Sequence, residues 1–319
     1  MRSPVTTYVA RRLLAAIPLL LIVSALVFAL SYLIPGDPAV ELAGGTHATR
    51  EQVIKVRHQL HFDEPLVKQY ARWLTHALRG DLGQSLIRNR SVSSEIRSRF
   101  PVTFSLALGG LVVTLLLGVP AGILAGTRAG SARDRAIALG TSAGIAIPDF
   151  WIAMVLVVVF AVKLKALPAI GYTSFTASPV SWARHLVLPA IALGLSGAAT
   201  LARQLRGALA DVLDQDYIRT ANAKGLKRRM VIGKHALKNA SITPVTVLGI
   251  QFAYMLGGTV LLEYIFSIPG MGQYFFLALN NRDLPVIQGV TLLTALIFVV
   301  LNLGVDITYA YVNPKVRLG

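Results

Sequence analysis

The sequence predicts an all-α membrane protein with six transmembrane helices. Of its 319 residues, 54% are hydrophobic and only 14% are charged, whereas about a quarter of the residues of a soluble domain are charged. The apolar residues are concentrated in six stretches, each close to the roughly 20 residues that cross the hydrocarbon core as a helix. These two observations predict the fold class, and the charges in the loops predict its orientation.

The six spans are found by reading between charged residues. Five of them contain no Asp, Glu, Lys, Arg or His, and the third contains one carboxylate, Asp149. The fourth is short, but its helix can continue past Arg203 if arginine side chains extend toward the interface. The predicted spans are residues 13–34, 101–127, 136–162, 186–202, 239–262 and 284–305.

The loop charges predict that both termini are cytosolic. Lys and Arg are in excess before the first span, around residues 128–135, in the long loop between spans four and five and near the C-terminus, while the loops 163–184 and 263–283 hold only four. Such an excess marks the cytosolic side. Residues 35–100 are then extracytosolic by the parity of the spans. The predicted domains are therefore residues 1–34, the extracytosolic segment 35–100, and a core of residues 101–319 containing the cytosolic loop 211–240.

The extracytosolic segment is predicted to be helical. Thr49 and Gln52 fit a capping box before a helix at residues 50–60. Pro65 suits the first turn of a second helix, whose apolar stripe ends at Gly80. We expect these two short amphipathic helices to lie on the membrane surface or to cap the spans. About 65 residues are too few for a separate enzyme domain with a deep core.

Span two carries a face of glycines at Gly118, Gly122 and Gly126. Small residues at four-residue spacing let helix backbones approach closely. The face indicates helix packing, either within this chain or against another subunit. Pro120 in the same turn predicts a kink.

The sequence contains no recognisable catalytic motif. The absence of cysteine excludes thiolate chemistry and Cys-ligated metal. Gly233 and Lys234 lack the upstream glycine of a phosphate-binding loop, so the chain is not expected to hydrolyse ATP. The net charge of +16 is interpreted as positive-inside bias and contact with anionic lipid rather than nucleic-acid binding. We therefore predict a non-enzymatic chain with no metal site and no cofactor of its own.

Asp149 is the one carboxylate inside a predicted span. It follows Asp134 by about fifteen residues, or roughly 22 Å along a straight helix, which predicts a position near the midplane. A charge there costs about 2.5–3.5 kcal/mol and marks a function by default. One interpretation is that Asp149 lines a translocation pathway and favours the positive end of a substrate. The other is structural, because Asp149 can bond amides that Pro148 frees by kinking the helix.

The loop after span five begins at Glu263. Pro269, Gly270 and Gly272 predict a tight turn between aromatic residues. The segment is consistent with an interfacial aromatic belt. The alternative is an external gate or a re-entrant hairpin.

The long loop, residues 216–240, is predicted to begin with a short helix. Asp211, Asp214 and Asp216 suit the positive end of that helix. Small residues follow, and Gly225 supplies the left-handed position that ends the helix. Such a helix can dock into a groove on a cytosolic partner, or it can lie on anionic headgroups.

At these residues the chain resembles the permease subunits of type I ABC importers, whose cytosolic loop carries the pattern E-A-A-x3-G. Arg219, Thr220 and Ala221 stand at E-A-A, and Gly225 stands at the glycine. The departures resemble the dipeptide, oligopeptide and nickel branch, specifically its first permease subunit. Asp149 departs from this branch, where a small polar residue is expected. Similar stretches cover nearly the whole chain: LIPGDPA (33–39), RGDLGQS (79–85), RFPVTFSLA (99–107), IPDFW (147–151), LPAIGY (167–172), FSIPGMG (266–272), NRDLPVIQGV (281–290) and NLGVDITYAYVNPKVR (302–317).

The resemblance implies a half-channel in the bacterial inner membrane that works by alternating access. It would pair with a second permease, two cytosolic ATPases that bind ATP and Mg²⁺, and an external substrate-binding protein. The expected substrates are di- and oligopeptides; the alternatives are nickel or another small solute, or a self-sufficient secondary transporter. The implied sites are ATPase coupling at Thr220, Ala221, Lys224, Gly225 and Leu226, a pathway at Pro148 and Asp149, and an external gate at Glu263, Pro269, Gly270 and Gly272.

Overall fold

Helices account for nearly all regular structure in the computed structural model, which describes residues 4–33, 38–43, 47–59 and 62–312. One β-bridge, between Gln84 and Ser91, is the exception in this part of the chain. In chain order the helices are α1 (Pro4–Leu33), α2 (Pro38–Ala43), α3 (Arg50–Gln59), α4 (Leu66–Leu78), α5 (Val92–Gly126), α6 (Ala132–Ala146), α7 (Asp149–Leu156) with a π-helical continuation (Val157–Lys163), α8 (Pro179–Leu213), α9 (Asp216–Ala223), α10 (Arg228–Met230), a π-helix (Val231–Ala236), α11 (Leu237–Ala240), α12 (Ile242–Gly258), α13 (Val260–Ile265), α14 (Met271–Asn280) and α15 (Leu284–Val312).

Four helices of the described residues are long and apolar enough to cross a membrane. They are α1, α5, α8 and α15. Two further candidates are bent pairs: α6 with α7 and its continuation, and the segment from α10 to α11 with α12. The predicted total of six spans holds if each bent pair is one span. Two of the six predicted spans are therefore not straight helices.

The centre of the fold is the packing of α5 against α8, two helices of 35 residues each. A Cβ on Gly118 would lie 2.8 Å from the Ala198 carbonyl oxygen, and a Cβ on Gly122 would lie 2.8 Å from Leu205 Cβ. Only glycine permits this approach. Since the contacts advance in the same direction along both helices, α5 and α8 are parallel.

The glycine face of span two is therefore used within the chain, which confirms one of the two interpretations of its four-residue spacing. Gly126 continues the contact, since a Cβ there would lie 3.0 Å from the Arg206 carbonyl oxygen. The helix is not interrupted at Pro120. It begins at Val92, capped by the Ser91 hydroxyl, and so extends nine residues before the apolar stretch that predicted the span. Because the first turns of α5 contain charged residues, a search for apolar stretches does not detect this part of the helix.

The segment between α1 and α5 is helical, as predicted. The capping box is confirmed, because the Thr49 amide donates to Gln52 Oε1 at 2.8 Å and the Gln52 amide donates to Thr49 Oγ1 at 3.3 Å. Tyr70 of α4 packs on Phe28 of α1 with ring centroids 5.5 Å apart, and its hydroxyl lies 2.8 Å from Ser24 Oγ. α4 therefore caps the first span. Residues 34–37 of the LIPGDPA stretch and residues 313–319 lie outside the described part of the chain.

Candidate functional site

The predicted short helix in the long loop is present as α9. It begins at Asp216 and ends at Ala223, and Gly225 follows with φ +74°. The Gly225 amide donates to the Asn222 carbonyl at 2.9 Å, and the Leu226 amide donates to the Ala221 carbonyl at 3.3 Å. A left-handed residue of this kind ends a helix, and glycine adopts it without steric cost. The predicted end of the helix at Gly225 is confirmed.

The inner face of α9 is attached to its own chain. Ile218 and Ala221 are buried in a cluster with Leu205, Leu209, Val231, Ala236 and Ala240. Ala221, which the resemblance assigns to the coupling contact, therefore lies on the inner face and packs inside the chain. α9 packs mainly on the π-helix (Val231–Ala236), which in turn contacts α8, so the position of α9 is tied to α8 through that π-helix.

The outer face of α9 is open. Thr220, Lys224 and Gly225 are exposed and Leu226 is half-buried. A Cβ on Gly225 would have no neighbour within 4 Å. Four of the five predicted coupling residues thus reach the surface at one end of α9, where they leave a small, uncovered patch.

An ion pair joins the first turn of α6 to α8. Arg206 donates from Nε and Nη2 to the two carboxylate oxygens of Asp134, each at 2.7 Å. Asp134 Oδ2 also accepts from the Gly130 amide at 2.8 Å, and its side chain is 4% exposed. Sequence reasoning missed this pair because its members lie 72 positions apart. The sequence signal that could have indicated an ion pair is the position of Asp134 among the arginines of residues 128–135.

Asp149 lies at a break in the third span. α6 and the segment that begins at Asp149 meet at 99°. Ile147 and Pro148 have extended ψ angles of 126° and 139°, as expected for proline and the residue before it. The straight helix from which the depth of Asp149 was predicted is therefore absent, and its position near the midplane stays a prediction. The half-buried Asp149 carboxylate lies beside the Ser196 side chain of α8.

Glu263 is fully buried where three helices meet. Its Oε1 accepts from Thr103 Oγ1 of α5 at 2.7 Å and from Thr259 Oγ1 at 3.0 Å. Its Oε2 accepts from the Gln273 amide at 2.9 Å. The Met271 amide donates to Thr103 Oγ1 at 2.8 Å. Glu263 and Thr103 therefore satisfy free amides in the first turn of α14, a role that the residue before a helix usually plays.

Two glycines make this capping possible. A Cβ on Gly270 would overlap the Glu263 carboxylate, and a Cβ on Gly272 would lie 2.6 Å from Val260 Cα. Pro269 is exposed at the turn. The segment is a helical hairpin of α13 and α14, and the structure brings Glu263, Gly270 and Gly272 together. Their role as a gate stays a prediction.

The stretches RGDLGQS (79–85) and NRDLPVIQGV (281–290) meet at the N-terminal end of α15. Asp283 is buried and accepts from Ser85 Oγ and, at 3.0 Å, from the Leu86 amide. Ser85 Oγ in turn accepts from the Arg88 amide at 3.0 Å. RGDLGQS and NRDLPVIQGV thus form one contact across 198 positions, which sequence reasoning did not foresee. Among the described residues, no group of three or more His, Asp or Glu is arranged to hold a metal ion.

Two family models match the chain. Residues 118–318 match the binding-protein-dependent transport system inner membrane component, and residues 5–107 match the N-terminal region of a binding-protein-dependent transport system membrane component. A putative peptide transport system permease protein of Brucella abortus (strain 2308) is 40% identical over 312 residues, which are 98% of this chain and 99% of that protein.

A second relative is the glutathione transport system permease protein GsiC of Salmonella paratyphi A. It is 41% identical over 310 residues, which are 97% of this chain and 98% of that protein. Among solved structures, a chain of the MetNI methionine ABC transporter in an inward-facing conformation matches with a TM-score of 0.56 and 17% identity. The match covers 68% of this chain and 96% of that one. At this identity the likeness concerns the fold.

Proposed function

The chain belongs to the peptide family of type I ABC importer permeases, and from this membership we propose that it forms one half of an inner-membrane channel for di- and oligopeptides. The observation that carries the proposal is the agreement of two family models over most of the chain. The names of relatives about 40% identical along the full length, peptide and glutathione transport permeases, support the substrate class. Glutathione is itself a peptide-like molecule with charged ends.

ATP hydrolysis belongs to partner subunits, and we propose that they bind the outer face of α9. The open patch formed by Thr220, Lys224, Gly225 and Leu226 supports this proposal, since a docking surface must be uncovered in the free subunit. The inner face of α9, including Ile218, lies in one buried cluster with the π-helix (Val231–Ala236) and with Leu205 and Leu209 of α8. A movement imposed on α9 by an ATPase would therefore be passed to the central helix pair.

The proposed assembly has this chain beside a second permease, with two ATPases on the cytosolic side and a substrate-binding protein outside. Positive charge in residues 224–238, which follow α9, supports the cytosolic placement of that end. The proposed mechanism is alternating access. Changing such an equilibrium from 1:99 to 99:1 needs about 5.5 kcal/mol of differential binding, which nucleotide and partners would provide.

We assign the external gate to the α13–α14 hairpin. Its first helix follows span five, and Glu263 bonds the hairpin to Thr103 of α5. Because the α14 amides are satisfied by groups on α5 and α13, these three elements are expected to move as one unit. A gate made of them would open by displacement of the whole unit and not by melting of the turn at Pro269.

The coupling role is tested with Gly225→Asp. The variant places a charged side chain on the open patch at a backbone position that Asp tolerates better than most residues. We expect the permease to insert normally but to lose co-purifying ATPases and peptide uptake.

Gly80→Asp is the matched control. Gly80 also follows a helix, has φ +81° and has no neighbour within 4 Å of a Cβ, but it lies in the extracytosolic segment. Retained ATPase binding and uptake in Gly225→Asp, at the level of the Gly80→Asp control, would exclude the proposed docking face.

A further inference from the structure

A polar seam runs along one face of α8. It is defined here by Ser196, Thr200 and Arg203 of α8 together with Ser142 of α6 and Asp149 of α7. The three α8 residues are spaced i, i+4 and i+7 and therefore share one face. Asp149 lies beside Ser196, and Arg203 Nη2 donates to Ser142 Oγ at 3.4 Å. The seam thus has a carboxylate at one end and a guanidinium at the other.

Neither charge of the polar seam is neutralised by an opposite charge among the described residues. The polar neighbour of Asp149 is the Ser196 hydroxyl, and the side-chain partner of Arg203 is the Ser142 hydroxyl. Arg206, one turn beyond Arg203 on α8, differs in this respect because it forms an ion pair with Asp134 of α6.

The residues of the polar seam are not fully covered by other parts of this chain. Arg203 and Ser142 are exposed, and Asp149 and Ser196 are half-buried. A charge that faces acyl chains is costly, and charges within spans face a bundle interior or a water-filled path. This face of α8 is therefore expected to be covered in the assembly by a path that contains water.

The spacing of the two charges suits a short peptide. Seven residues of α8 separate Ser196 from Arg203, which is about 10 Å along a helix. An extended chain advances about 3.3–3.6 Å per residue, so about three residues span this interval. A free peptide has an ammonium group at one end and a carboxylate at the other, which is the reverse of the charges on the seam.

We infer that Asp149 and Arg203 select for zwitterionic peptides of about three residues during translocation, with Asp149 attracting the amino terminus and Arg203 the carboxyl terminus. This inference rests on the proposed function and adds a specificity that the binding protein does not provide. It accounts for an acidic residue where the resemblance to the peptide branch leads one to expect a small polar one.

The test measures uptake by the complete transporter in vesicles. The probes are tri-alanine, N-acetyl-tri-alanine and tri-alanine amide, and each variant is compared with the wild type for each probe. Because the binding protein is unchanged, the ratio of variant to wild-type rate cancels its preference.

Asp149→Asn is expected to slow uptake of tri-alanine and its amide on the order of tenfold, as for loss of a hydrogen bond to a charged group, and to spare the acetylated probe. Arg203→Gln is expected to slow tri-alanine and the acetylated probe and to spare the amide. Asp149→Glu, which keeps the charge, should retain the wild-type preference. Co-purification of the ATPases with each variant shows that the complex is assembled.

An equal loss for all three probes would overturn the inference and would indicate that Asp149 or Arg203 pairs with another subunit or with lipid. If the wild type transports neither the acetylated nor the amidated probe, the test uses tri-alanine uptake alone. Tri-alanine uptake rates within twofold of wild type in both Asp149→Asn and Arg203→Gln would then also overturn the inference. Failure of the wild type to carry any of the three probes would instead contradict the proposed function.

Discussion

Replacement of Gly118 by alanine tests the packing of α5 against α8. The new Cβ would lie 2.8 Å from the Ala198 carbonyl oxygen and 3.1 Å from Leu201 Cβ, whereas non-bonded carbons prefer about 3.5–4.0 Å. The Ala198 oxygen belongs to the backbone, so α8 must shift as a whole. Insertion of a methyl group into such a contact costs about 1–3 kcal/mol.

The expected result is a lower melting temperature of the purified subunit. At about 2–4 °C per kcal/mol for a chain of this order of size, the cost of about 1–3 kcal/mol corresponds to a decrease of about 2–12 °C. The assay is thermal unfolding in detergent, followed by tryptophan fluorescence.

Gly140→Ala is the control, because a Cβ on this α6 glycine has no neighbour within 4 Å. It should match or exceed the wild type in melting temperature, since alanine favours a helix by about 1 kcal/mol over glycine. Equal melting temperatures for Gly118→Ala and Gly140→Ala would refute the close contact. A decrease seen only in the complex with a second permease would show that the glycine face belongs to a subunit interface.

Two further predictions concern buried carboxylates. Glu263→Gln replaces one acceptor oxygen by a donor and leaves a hydroxyl or the Gln273 amide without its partner, so we expect a loss of about 1–3 kcal/mol, measured as a lower melting temperature; an unchanged value would refute the capping of α14. Asp134→Asn removes the charge that binds Arg206 in two hydrogen bonds and should lower the melting temperature more than Asp216→Asn, whose ion pair is exposed. Equal effects of the two Asn variants would show that the Asp134 pair contributes no more than a surface pair.

Sequence patterns predicted the local features of this chain well where the cause is local. The Thr49 capping box depends on residues three positions apart, and the end of α9 depends on the conformational freedom of Gly225. Both are present in the structure. The spacing of the span-two glycines predicted close helix packing but left open whether the neighbouring helix belongs to this chain.

Features that depend on distant residues were not predictable in the same way. Hydrophobicity located the third span, but it did not reveal the 99° bend before Asp149, because a bend of this size requires other helices to hold both halves. Glu263 was noted as the start of a loop, yet its three acceptor contacts come from α5, α12–α13 and α14. The resemblance placed Ala221 in the coupling contact, and only its burial in a cluster with α8, the π-helix and α11 shows that it faces inward.

The sequence by itself determined that this chain is a membrane protein of about six spans, which family it resembles, and where its short helices begin and end. These properties follow from apolar stretches, charges in loops and capping residues, each of which acts over a few positions. The tertiary structure decided the rest. It made α8 the partner of the glycine face, made Glu263 and Thr103 the cap of α14, and placed Asp149 and Arg203 on one seam. The physical reason is that such contacts depend on distances between helices, which residues far apart in the chain determine together.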